Sequence, residues 1–146
     1  MIKAAILPLG LCLALVMPAA VCAQAPAQDT AVNEAVYRQA NRIKLRQKLT
    51  DALVAQERRD LDGAAKLYDD AWELVQKIGS GVEAEASQVR EGLGLVRMEL
   101  ARAAQKNGDL RKAKVHVDAV LRVDPSNKVA QDFRKQNDKA LADRRG

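Results

Sequence analysis

The chain has 146 residues, a net charge of +5 and only 3% Phe, Trp and Tyr. So few aromatics argue against a β-sandwich, which wants more aromatic and β-branched residues, and against a surface that stacks nucleic-acid bases. Ala, Gln, Lys, Arg and Glu favour helix instead, and the length suits one domain.

At the N-terminus Lys3 supplies a positive start, and Ala4 to Met17 form an apolar run interrupted by Pro8 and Gly10. Val21-Cys22-Ala23 then offers small residues before a cleavage point after Ala23. This pattern predicts a secretory signal peptide over residues 1–23, too short for a membrane span. An uncleaved anchor and lipidation at Cys22 are alternatives, the second opposed by bulky Val21. Both cysteines, Cys12 and Cys22, fall in this leader. The exported remainder is therefore expected to hold itself together by helix packing without disulfides, in the periplasm or at the cell envelope.

Residues 24–30, with Pro26, read as a flexible linker, and Asp29 or Thr30 as a helix start. Residues 31–59 contain no Gly or Pro and predict one long helix or two abutting ones. Val32, Val36, Ala40 and Ile43 share one stripe; Leu45, Leu49, Ala52 and Leu53 continue it with a phase shift. Asp60 caps a second helix from Leu61 to about Ile78, and Gly79-Ser80-Gly81 stops it. Ser80 and Glu83 have capping-box spacing before a third helix from Val82 to about Asn107. Gly92 and Gly94 lie inside it and point to close packing against a neighbour, because Leu93, Val96 and Leu100 keep the apolar stripe going. Gly108 closes that helix, a fourth spans Leu110 to about Arg122, and Asp124-Pro125 opens a fifth. That last helix, about 126–143, buries Val129 and Phe133 under a polar surface, as an end-cap should.

The chain repeats itself. A constant offset of 49 residues pairs Asp60 with Asp109, Leu61 with Leu110, Ala64 with Ala113, Asp69 with Asp118, Trp72 with Leu121 and Leu74 with Val123. It also pairs Ala52 with Ala101, Ala55 with Ala104 and Gln56 with Gln105. The match on both sides of each turn predicts two helical hairpins, about 45–78 and 82–125. Small residues would let their antiparallel helices approach closely, with Ala64, Tyr68 and Ala71 on one stripe and Ala113, Val117 and Val120 on the other.

Leu100-Ala101, Gly108-Asp109, Ala113 and Pro125 resemble the spaced signature of a tetratricopeptide repeat, and Ala64, Tyr68 and Ala71 resemble an earlier copy. The offset is about 15 residues longer than the usual period of about 34, and the excess falls between Gln76 and Gly94. Gln76 stands where a proline is expected, and Arg97 and Ala104 replace the usual aromatics. The resemblance implies an all-α fold of about five helices, an α-solenoid fragment. Its core signature would be Ala64, Tyr68, Ala71, Trp72, Leu100, Ala101, Gly108, Ala113, Val117, Val120, Leu121 and Pro125. Such folds are binding modules, which implies a non-enzymatic interaction or scaffold protein with a protein partner. A shallow concave face would then be lined by Lys48, Asp51, Ala55, Arg97, Leu100 and Ala104. There is a weaker resemblance to the helical-repeat heads of bacterial secretion proteins. It gives an alternative, the N-terminal part of a secretin-like channel or other envelope assembly. Another alternative is a self-associating structural protein, a homodimer with the third helix as seam.

No catalytic, metal or cofactor site is expected. The lone His116 has no Cys or second His to share a metal, and it reads as a partly exposed packing residue. Asp60 has a capping role, and Asp69-Asp70 read as solvated surface. No phosphate loop, GxSxG or HExxH is present. The basic residues, among them Arg38, Arg42, Lys44, Arg46, Lys106, Arg111 and Lys112, read as solvated faces. Attraction to anionic lipid or an acidic partner follows at most; no nucleic-acid partner is expected.

Overall fold

A computed structural model describes residues 25–144, with side chains from 30 onward. The leader, with its cleavage and lipidation readings, and residues 145–146 lie outside the described residues. Five helices follow one another: α1 (Ala25–Glu57), α2 (Leu61–Ile78), α3 (Glu83–Lys106), α4 (Leu110–Val123) and α5 (Lys128–Asp143). The described chain is all-α and compatible with a helical-repeat fold. Each helix packs on the next, and α1 also touches α3. No helix among the described residues is long and apolar enough to cross a membrane.

The repeat is visible atom by atom at the two hairpin turns. Asp60 Oδ1 accepts the Gly63 N–H at 2.9 Å, and Asp109 Oδ1 accepts the Lys112 N–H at 2.9 Å. The Asp60 N–H donates to Ala55 O at 2.9 Å, and the Asp109 N–H donates to Ala104 O at 2.8 Å. Both turns pass through a left-handed residue, Gly108 at φ 79° and Arg59 at φ 62°. That conformation is free for glycine and strained for a side chain. Arg59→Gly is therefore expected to raise the unfolding free energy by about 1 kcal/mol, while Gly108→Ala lowers it by about 1–2 kcal/mol. Urea unfolding of the two variants checks the opposite signs.

The buried layer follows the shared pattern. Ala64, Tyr68, Ala71, Ala101, Ala113, Val117 and Val120 are buried, with Leu45, Leu49, Val89, Leu93 and Val96 among them. Trp72, Leu100 and Leu121 pack against this core while half-exposed. A Cβ on Gly92 would overlap the Tyr68 ring, so the glycine is what lets α3 lie against α2. A Cβ on Gly94 would meet the Asn127 side chain at an ordinary van der Waals distance of 3.9 Å, and α3 runs unbroken through both glycines. The longer spacing is shared out: α2 has 18 residues against 14 in its counterpart α4, and α3 takes most of the rest.

Three helix starts differ from the sequence expectation. α1 begins at Ala25, so the expected linker is helical from its second residue. Pro26 sits in the first turn, where its missing N–H has no partner to lose. α3 starts at Glu83, one residue past the expected Val82, and Val82 rather than Ser80 takes the cap position, because Val82 is buried between the helices and fixes the entry of the chain. The Glu83 carboxylate still reaches back to the Gly81 N–H at 2.9 Å. That bond is the main reason its pKa lies below the usual carboxylate value. α5 is capped by Asn127, whose Oδ1 accepts the Ala130 N–H at 3.0 Å. Asp124 instead folds Pro125 and Ser126 into a turn by accepting from the Ser126 hydroxyl at 2.6 Å.

α1 carries apolar residues on two opposite sides. Leu45, Leu49 and Ala52 are buried, while Val32, Val36 and Ile43 are exposed. Nine residues separate Val36 from Leu45, two and a half turns, so the two stripes face away from each other. Every residue from Thr30 to Ala40 is exposed, and the packed part of α1 begins at Asn41.

Candidate interaction surface

The face expected from sequence comes apart in the structure. Lys48 lies on the α1–α2 edge, where its Nζ donates to Asp70 Oδ2 at 2.8 Å. Asp51 is exposed and accepts from Gln47 Nε2 at 2.9 Å. Ala55 is packed against the core. On α3 the three expected residues point inward: Ala104 is buried, Leu100 packs on the core, and the Arg97 side chain is only 16% exposed. The reason lies in the apolar stripe Leu93, Val96 and Leu100. It is the packed side of α3, and Arg97 and Ala104 lie on the same side, one turn or less away.

The exposed side of α3 carries Gln88, Glu91, Leu95, Glu99 and Arg102. Leu95 is 67% exposed in the middle of this charged face. It lines two grooves. One, between α1 and α3, is floored by Leu49, Leu53 and Gly92. The other, about 590 Å³, lies between α3 and the start of α5, with Met98, Arg102, Asn127 and Val129 in its wall. Leu53 is 54% and Val129 58% exposed. Leu53, Leu95 and Val129 thus make an apolar line across α1, α3 and α5, bordered by Glu91, Arg90 and Arg102. Val129 was expected in the core; the start of α5 at Lys128 turns it outward. The signal for Leu95 was available: it sits four residues from Glu91 and Glu99 and seven from Arg102, a leucine on a charged stripe.

A polar cluster occupies the opposite side of α3. Arg97 Nη2 forms an ion pair with Asp69 of α2, and Arg97 Nη1 lies 3.1 Å from His116 Nδ1 of α4. His116 is 5% exposed, so it is a buried histidine and not a partly exposed one. Burial above all, then Arg97 and Lys112, holds its pKa below the usual 6.5. Asp69 and Asp70 are both ion-paired and half-buried, not solvated surface. Trp72 packs on the core with the Arg90 guanidinium 6.0 Å above its ring. Among the described residues no three His, Cys, Asp or Glu side chains are grouped to hold a metal.

Compared with protein-family models, with curated proteins and with solved structures, the chain matches none. The described residues define a class: a five-helix, all-α fold with two geometrically repeated hairpin turns.

Proposed function

We propose that the chain is an exported, non-enzymatic interaction or scaffold module of the cell envelope, built on two tetratricopeptide-like hairpins. The observation that carries this reading is the apolar line Leu53, Leu95 and Val129, exposed across three helices and unexplained by packing. An apolar line with a charged border suits a segment of another protein, with the leucines as anchors and the charges as rim. Export rests on the leader pattern in residues 1–23. Leu95→Asp, alone or with Leu53→Asp, is expected to weaken capture of an envelope partner at least tenfold, about 1.4 kcal/mol. The melting temperature should barely move, since Leu95 is a surface residue. Capture that survives both substitutions sinks this surface. Light scattering of the same samples addresses a second reading, self-association through the exposed Val32, Val36 and Ile43 stripe. A monomer at micromolar concentration removes it.

A further inference from the structure

Arg97 ties α3 to both α2 and α4, through Asp69 and His116. A guanidinium only donates hydrogen bonds and does not lose its proton in proteins. His116 Nδ1 must therefore be the bare acceptor, with the ring proton on Nε2. Arg97 Nε and His116 Nε2 are buried without a protein partner, so the cluster has no spare contact to fall back on. A proton added to Nδ1 would set N–H against N–H at 3.1 Å and place two cations in contact. The fold does not demand this arrangement. At the same repeat positions the first hairpin has Leu67 for His116 and Lys48 for Arg97, and Lys48 turns to Asp70.

We propose that the Asp69–Arg97–His116 cluster is an acid-released latch that holds α4, with α5 docked on it, against α2 and α3. Mild acid protonates His116, breaks its bond to Arg97 and loosens the second hairpin while the first stays closed. The charged groups that face His116 are Asp62 and Asp69 of α2, Arg97 of α3 and Lys112 of α4 itself. The two aspartates favour protonation and the two cations oppose it; burial opposes it most. Because the folded pKa lies below 6.5, the closed form binds fewer protons than the open one. Closure is thus fully present above about pH 6.5 and is lost as pH falls toward the folded pKa. Glu83 and Glu85 are lowered from a usual value of 4.5, so their contributions fade in stronger acid. The latch stands whether or not the groove at Leu95 takes a partner.

Hydrogen exchange of the purified protein between pH 7.5 and 5.5, corrected for intrinsic chemical exchange, tests this. Amides of α4 and α5 are expected to lose protection by up to about tenfold per pH unit below 6.5, the slope of one proton. Amides of α2 and of α1 beyond Asn41 should keep theirs. In His116→Leu and in His116→Gln the pH dependence of α4 should vanish. Should the leucine variant fail to fold, the glutamine variant and the ring titration of the parent protein decide. His116 is the only histidine, so its ring signals need no assignment. A ring midpoint at or above 6.5 overturns the latch. So does pH dependence that survives in the folded variants, or loss of protection spread evenly over all five helices.

Discussion

Replacing Tyr68 by alanine is expected to lower the unfolding free energy by about 3–5 kcal/mol, the range for deleting a buried aromatic ring. A domain of this kind holds about 5–15 kcal/mol in total, so the variant should be partly unfolded at moderate temperature. Tyr68 is 1% exposed and is among the largest fully buried side chains. Its ring lies in the space that Gly92 leaves open, and its hydroxyl donates to Gln56 Oε1 at 3.2 Å. One side chain of α2 thereby fixes its distance to α3 and its tie to α1. Tyr68→Phe keeps the ring and loses the bond, so it should cost only about 1 kcal/mol. Gly92→Ala should cost about 1–3 kcal/mol by forcing the ring aside. The two sites touch, so their effects should not add: Gly92→Ala should be milder by more than about 0.5 kcal/mol once Tyr68 is alanine. Additive effects in urea unfolding would show that ring and glycine do not share that space. Burial also raises the phenol pKa above its usual 10.0. The buried, neutral phenol therefore stabilises the fold below pH 10, and that contribution fades as pH rises further. Tyr68→Phe removes this alkaline loss.

The contrast between Tyr68 and Arg97 shows what could be read in advance. Tyr68 sits between Ala64 and Ala71 on a stripe with helical spacing, so its burial follows from local pattern. The same holds for the turns, because Asp60, Asp109 and Gly108 act on amides only a few residues away. Gly92 was legible too, as an interruption that an unbroken apolar stripe explains. The helix starts were harder. At Ser80 and Asp124 a good capping side chain was present, but the buried Val82 and the Asn127 cap decide where the helices begin. The expected interaction face rested on the repeat resemblance and not on local pattern. That resemblance put Arg97 on a concave face, in repeat register with Lys48. Arg97 is drawn inward by partners 28 and 19 residues away on two other helices, which no local pattern contains. With Arg97 placed inside, the exposed side of α3 moves to Leu95.

Arg97→Ala is expected to cost about 2–3 kcal/mol. The substitution leaves His116 Nδ1 as a buried acceptor without a donor and Asp69 as a half-buried carboxylate without a cation, and each orphaned group carries a desolvation penalty. The upper end of the range for buried ion pairs is out of reach, because the Asp69 side chain keeps 39% of its exposure and water can still reach it. Lys48 provides the control. It occupies the same repeat position and also pairs with an aspartate of α2, yet both partners are over a third exposed. Lys48→Ala should therefore cost less than about 1 kcal/mol. Urea midpoints should fall in that ratio with unchanged slopes, since neither change alters how much surface unfolding exposes. Arg97→Lys should recover only part of the loss, because one ammonium cannot reproduce a fork that spans two helices. Replacing the whole cluster, with Arg97→Met, Asp69→Leu and His116→Leu together, should restore most of the stability. The parent cluster would then be no net source of stability, and equal losses at Arg97 and Lys48 would instead mean that water reaches both pairs alike.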